Sequence, residues 1–173
     1  IATITPNDEA KAAVPVKARE LASVLEAAGI KTHIDDRDLR PGEKYFEWEK
    51  KGVPLRIELG PKDIANDVAM LVRRDTGEKI SVPLADLASK VAELLDLIQK
   101  DLFERALNIQ KEKTVSADTW EDFTAAIEAG KFVLAHWSGD KDVEAQIKEE
   151  TGATIRCLPF AQPQEDDVCI KSG

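Results

Sequence analysis

A chain of 173 residues, 43% hydrophobic and 33% charged, has room for one large domain or two small ones and is too apolar for wholesale disorder. Its 24 basic and 33 acidic residues leave a formal net charge of −9 at pH 7, which argues against indiscriminate nucleic-acid binding. No apolar run approaches the roughly 20 residues that span a bilayer, no signal-peptide pattern opens the chain, and Cys157 and Cys169 are too few for a disulfide scaffold, so the expected compartment is cytoplasm.

Ile1 to Thr5 is predicted as a short strand. A start on Ile1 inside an apolar segment, rather than on methionine, reads as the interior of a longer protein. Pro6-Asn7-Asp8 begins a helix whose stripe is Leu21, Val24, Leu25 and Ala28, with Gly29 as its stop and Pro15 able to shift its start. Ile30, Thr32 and Ile34 alternate with polar residues as a second, half-buried strand. A polar loop from Asp36 to Gly42 leads to a short helix through Tyr45, Phe46 and Trp48, closed at Gly52. Val53, Leu55, Ile57 and Leu59 alternate with Pro54, Arg56 and Glu58, a strand with one polar face. Gly60 to Asp63 is turn chemistry, and a hairpin follows, Val68 to Arg73 and Ile80 to Val82, joined around Asp75-Thr76-Gly77.

From Pro83 the period becomes helical, with Leu84, Leu87, Val91, Leu94, Leu95, Ile98 and Leu102 on one face. The pattern fades after Ile109 into the wholly polar Gln110 to Lys113, which places the domain boundary between roughly Phe103 and Thr114 and divides the chain into 1–108 and 109–173. In the second part Asp118 caps a helix carrying Trp120, Phe123 and Ile127. Lys131 to Trp137 is a strand, Asp140 to Glu150 a helix ended by Gly152, Ala153 to Phe160 a further strand, Gln162 to Asp167 a loop and Val168 to Ile170 the start of one more strand. The fold class is therefore α/β, a mixed-sheet domain followed by a smaller α+β domain, and that class alone supplies no function.

Enzyme chemistry is mostly missing. Two histidines, His33 and His136, exclude a multi-histidine metal centre, and neither lies near a plausible nucleophile. His33 reads as a surface residue and His136 as a structural one. The nine glycines fall singly at turns and helix ends, so no phosphate-cradling loop is present. Asp35, Asp36 and Asp38 read as a loop of solvated charges, since no metal-binding spacing accompanies them. Charge is nevertheless uneven. Residues 37–79 carry ten basic and nine acidic side chains, against fourteen and twenty-four elsewhere, which makes this stretch the least repulsive place for a phosphate to approach.

The run from Asp36 to Asp63, DRDLRPGEKYFEWEKKGVPLRIELGPKD, closely resembles the anticodon-binding domain of prolyl-tRNA synthetases of the archaeal and eukaryotic type. Its segment WEKKGVPLRIELGPKD separates that family from the histidyl, glycyl and threonyl relatives sharing the fold. The opening strand and the closing KEETGATIRCLPF resemble the same synthetase in the same order. The resemblance implies a class II catalytic domain ahead of Ile1, holding ATP and magnesium, and a last strand, normally ending in an aromatic residue, that is not reached by Gly173. It also implies that this chain alone is non-catalytic, that its partners are a tRNA with a proline anticodon and the catalytic domain of the parent enzyme, and that the intact enzyme is a homodimer without membrane contact.

Proline anticodons carry guanine at the second and third positions. An unstacked guanine offers N1–H and N2–H donors beside O6 and N7 acceptors, so reading it takes a carboxylate and a cation. By resemblance, Glu49, Arg56, Lys62, Asp63 and Lys79 match the family's base-contacting positions, two acids and three bases for two guanines. Plainer roles stand beside these: Glu49 pairing along its helix, Arg56 pairing with Glu58, Lys62 as a solvated turn residue. Tyr45, Phe46 and Trp48 could stack bases, although one-sided packing favours a core role for Trp48.

The second domain resembles the synthetase's C-terminal domain, which in many relatives holds zinc through four cysteines. Here Trp137-Ser138 and Asp142-Val143 occupy the region of the first pair and Cys169 with Ser172 the second, while Cys157 matches a non-ligand position. One thiolate cannot make a tetrahedral site, so a zinc-free version, truncated at its end, is expected. The alternative to tRNA recognition is a stand-alone accessory or scaffold protein using the same fold for protein contacts.

Overall fold

Period-two alternation makes Leu55–Leu59 a strand, β2, with Ile57 and Leu59 buried on one face and Arg56 and Glu58 on the other. In the computed structural model, which describes residues 1–161 and 168–173, β2 lies inside the first of two units, Ile1–Phe103 and Glu104–Gly173. Its neighbours are β1 (Ala2–Thr3), parallel to it, and β3 (Val68–Arg73), antiparallel, followed by β4 (Lys79–Pro83), so the sheet is mixed, in the order β1-β2-β3-β4. The register sets Arg56 opposite Val72 and Val72 opposite Lys79, a row across three strands; Glu58, Met70 and Ser81 form the next. The other face buries Ile57, Leu59, Leu71 and Val82 against Val14, Leu21 and Leu25 of α1 (Asp8–Ala27) and Leu87, Val91 and Leu94 of α4 (Leu87–Lys113). This is the mixed-sheet α/β architecture that the alternation of strands and helices predicts.

Two short helices follow, one beside the face that carries Arg56 and one packed against α1 and β3. The first, α2 (Pro41–Lys50), starts at a proline whose missing N–H has no partner to lose, and the second, α3 (Pro61–Ala65), does the same where the sequence suggests only a turn. For α1, the Asn7 side chain accepts from the Ala10 amide at 2.8 Å and fixes the start, so Pro15 lies inside the helix without shifting it.

The predicted strand at Ile30 to Ile34 is reduced to an extended edge. The Asp35 amide donates to the Ile1 carbonyl at 2.8 Å and the Thr3 amide to the Asp35 carbonyl at 3.2 Å, but β1 is only two residues long and offers no more ladder. Ile30 and Ile34 still pack against the core. The division between the units falls inside α4, which continues through Gln110 to Lys113; Lys111 and Lys113 in its last turn complement the helix dipole.

The second unit is a βαβ arrangement in which β5 (Thr114–Ser116) runs parallel to β6 (Phe132–Leu134) with α5 (Trp120–Glu128) as the crossover, followed by α6 (Lys141–Thr151). The cap of α5 is Thr119, not Asp118: its hydroxyl accepts from the Asp122 amide at 3.2 Å and donates to the Asp122 carboxylate at 2.7 Å. Ala117, Phe123 and Ile147 are the buried core, with Trp120 stacked on Phe123 at 5.3 Å between ring centroids. Ala153 to Phe160 forms no strand, because residues 154–160 are exposed and no neighbouring strand among the described residues takes up their backbone groups. Val168 to Ile170 forms none either; the Ile170 amide makes a single bond, 2.9 Å, to the His136 carbonyl. The loop expected over Gln162 to Asp167 lies outside the described residues. Among the described residues no helix is long and apolar enough to cross a membrane.

Candidate nucleic-acid interface

Arg56 leaves the polar face of β2 and meets three side chains at once. Its Nε donates to Glu58 at 3.0 Å, its Nη1 pairs with Glu49 of α2, and its guanidinium lies 4.0 Å from the centre of the Tyr45 ring. Lys79, in the same row on β4, places its amine 3.9 Å from the second oxygen of Glu58. Arg56 and Glu58 side chains are 12% and 9% exposed, so their charges must be balanced locally, and Glu49 and Lys79 at the rim complete two carboxylates against two cations. Burial first, and the neighbouring Glu58 carboxylate after it, push the Tyr45 phenol up to about 12.

Glu58 is thus the hub of the cluster, whereas the sequence alone presents it only as a pairing partner of Arg56. The i, i+2 spacing on a strand with one polar face is the available signal, because it puts Arg56 and Glu58 side by side. The pairing role anticipated for Arg56 is realised, while Glu49 pairs across to β2 rather than along its own helix.

Lys62 and Asp63 sit on α3, just beyond the end of β2. Asp63 accepts from the Gly60 amide at 2.8 Å, a helix-capping bond that uses one carboxylate oxygen, and its charge is felt at the Tyr45 phenol. Lys62 is exposed, and its amine has no hydrogen-bond or ion-pair partner among the described residues. The structure therefore brings Glu49, Arg56 and Lys79 together around Glu58, sets Asp63 beside them, and makes no direct contact from Lys62 to the cluster.

The three aromatics of α2 separate. Trp48 donates its indole N–H to Asp35 at 2.8 Å, with His33 at 4.2 Å from its ring and the Lys51 amine over it at 4.2 Å, so it is committed inward. Tyr45 is covered by Arg56, and Phe46 remains 70% exposed. The aspartates differ from a uniformly solvated loop: Asp36 and Asp38 form surface pairs with Arg19 (3.4 Å) and Lys11 (3.0 Å), but Asp35 is buried. Two hydrogen bonds from Arg37, at 2.8 and 2.7 Å, hold the Asp35 carboxyl well below the usual carboxylate range against the opposing effect of burial.

In the second unit, burial would raise the Cys169 thiol, but hydrogen bonds from the Ser172 hydroxyl and from backbone amides of Ser172, Lys171 and Ser138 bring it down to about 6. Cys157 is exposed, and among the described residues no group of three or more His, Cys, Asp or Glu gathers that could hold a metal ion.

Comparison with known proteins follows the same division. Residues 1–94 match the family described as anticodon binding domain, and residues 120–173 match the one described as prolyl-tRNA synthetase, C-terminal. The proline–tRNA ligase of Lachnospira eligens is 45% identical over 172 residues, covering 98% of this chain and 36% of that protein. That of Oceanobacillus iheyensis is 44% identical over 172 residues, 99% of this chain and 36% of its own length. Proline–tRNA ligase 2 of Clostridioides difficile is 47% identical over 151 residues, 86% and 31% respectively. The chain spans about a third of the length of these curated relatives. They are bacterial, so the archaeal and eukaryotic type expected from the sequence gains no support from them.

Proposed function

We propose, from the premise that the chain belongs to the anticodon-binding domain family, that it recognises the anticodon loop of a proline tRNA as the non-catalytic portion of a proline–tRNA ligase. The observation that carries this reading is the balanced cluster of Glu49, Arg56, Glu58 and Lys79 on one sheet face. Carboxylates and cations interleaved at hydrogen-bond spacing are what a guanine edge requires, since its donors and acceptors lie side by side. Glu49, 45% exposed at the rim, supplies acceptors, Arg56 and Lys79 supply donors, and Asp63 with the unpaired Lys62 on α3 repeats the acid–base combination for a second base. Guanine binding would exchange the Glu49–Arg56 pair for contacts of the same charge-assisted kind, so little desolvation is added.

The parent enzyme we propose is a cytoplasmic homodimer that uses ATP and magnesium in a separate catalytic domain to join proline to tRNA. Assignment to the archaeal and eukaryotic type rests on the resemblance of the run Asp36 to Asp63 alone.

Titration of the chain with an anticodon stem-loop carrying the two guanines, and with one in which they are adenines, tests the recognition. The guanine RNA is expected to bind more tightly by about 1–3 kcal/mol per base-edge contact. Affinity for the adenine RNA should be weak, as expected for a chain of net charge −9, and should fall with salt in proportion to the phosphates contacted. Equal binding of both RNAs overturns the reading.

We further propose that the second unit folds without zinc: Cys169 brings a single thiolate to its loop, too few for a tetrahedral site, and the core of Ala117, Phe123 and Ile147 holds the unit. Elemental analysis of the purified chain is expected to give far less than one zinc per molecule, and chelator to leave thermal unfolding unchanged. About one zinc per chain sinks this proposal.

A further inference from the structure

Glu49 can meet a guanine only where α2 holds it, and α2 is an unusual helix to hold. It has ten residues, below the roughly 12–15 at which an isolated helix becomes even marginal in water, so tertiary anchors must fix it. Its one buried residue is a lysine, Lys44, 1% exposed. The Lys44 amine donates to the Thr3 carbonyl at 2.9 Å, the Asp35 carbonyl at 3.2 Å and the Thr3 hydroxyl at 3.4 Å, one acceptor for each of its three protons. One turn later Trp48 donates to the Asp35 carboxylate. The inward i, i+4 pair, Lys44 and Trp48, is thereby tied to the backbone and the side chain of a single buried aspartate.

The second i, i+4 pair of the helix, Tyr45 and Glu49, is rotated by one residue and meets Arg56. A helix fixed by apolar packing alone could slide or roll by fractions of an ångström at small cost, whereas hydrogen bonds at two levels define both its height and its rotation.

We propose that Lys44, acting with Asp35 and Trp48, is a positioning residue for anticodon discrimination: it sets where the Glu49 carboxylate stands relative to Arg56 and never touches RNA. The inference rests on the reading of Glu49 as a base contact. Lys44→Met keeps the unbranched side chain and removes the ammonium, and Trp48→Phe keeps an aromatic ring and removes the N–H. For each variant, for Glu49→Ala and for Lys44→Met combined with Glu49→Ala, the ratio of dissociation constants for the adenine and guanine stem-loops is measured, with thermal unfolding followed by circular dichroism.

Lys44→Met and Trp48→Phe are each expected to lower the ratio at least about fivefold, near the low end of one base-edge contact. Glu49→Ala should lower it too, and adding Lys44→Met to it should change the ratio no further. A folded Lys44→Met with the wild-type ratio, or a double variant whose losses simply add, overturns the proposal. If Lys44→Met does not fold, Trp48→Phe decides in the same way. An unchanged ratio in Glu49→Ala refutes the base-contact reading and this inference together, whereas a loss there without one in Lys44→Met and Trp48→Phe refutes the inference alone.

Discussion

Replacing Glu49 by alanine is expected to reduce binding of the guanine stem-loop by about 5–150-fold, the equivalent of about 1–3 kcal/mol, and to leave the adenine stem-loop almost untouched. A base-edge contact and a phosphate contact leave different traces, because the phosphate is present in both RNAs and its loss weakens both alike. Stability should hardly change. The Glu49 side chain is 45% exposed, and Arg56, 12% exposed, keeps Glu58 as its second carboxylate partner, so the loss should be no more than about 1 kcal/mol. Arg56→Ala is expected to show the same selective loss together with a clear drop in melting temperature, since it strips the compensating charge from Glu58, which is 9% exposed. The two variants therefore separate recognition from folding. Equal losses on both RNAs would demote Glu49 and Arg56 to backbone positioning, and no loss on either would leave them as surface ion pairs.

Features that follow a single period are legible in the sequence. Arg56 and Glu58 alternate with Ile57 and Leu59, so the residues themselves reveal the polar face of β2, and the stripe of α4 from Leu87 to Ile98 is equally plain. Interactions between segments distant in sequence are not legible. Lys44 looks like any helix-surface lysine until Thr3 and Asp35, 41 and 9 residues away, are brought to it, and nothing local distinguishes the buried Asp35 from the solvated Asp36 and Asp38. Ala153 to Phe160 shows the opposite failure. Its residues suit a strand, but a strand exists only where another offers hydrogen bonds, and periodicity carries no information about a partner. At three residues β5 is too short for any pattern and is defined by its parallel pairing with β6. At Thr119 two adjacent residues compete for the cap, and the reciprocal bond to Asp122 decides it.

Phe123→Ala is expected to unfold the second unit while the first continues to bind the guanine stem-loop. Phe123 is 7% exposed at the centre of a core whose other buried members, among the described residues, are Ala117 and Ile147, and its ring stacks on Trp120. Deleting a buried phenylalanine side chain costs about 3–5 kcal/mol. A unit the size of Glu104–Gly173, below about 80 residues, rarely draws more than about 3–5 kcal/mol from a single core, so the loss consumes what holds it together. The first unit has its own cluster, built from α1, α4 and the sheet around Leu25, Leu59, Leu71 and Leu94, with no member in common. Sites in separate cores without shared partners couple by no more than about 0.5 kcal/mol, so affinity for the stem-loop should stay within about twofold of wild type. Amide hydrogen exchange reads both halves at once: protection should collapse in α5 and α6 and persist in β2, β3 and the first turns of α4. Loss of protection in β2, or a large fall in affinity for the guanine stem-loop, would show that the two units fold as one and that the anticodon-reading face depends on a core it does not contain.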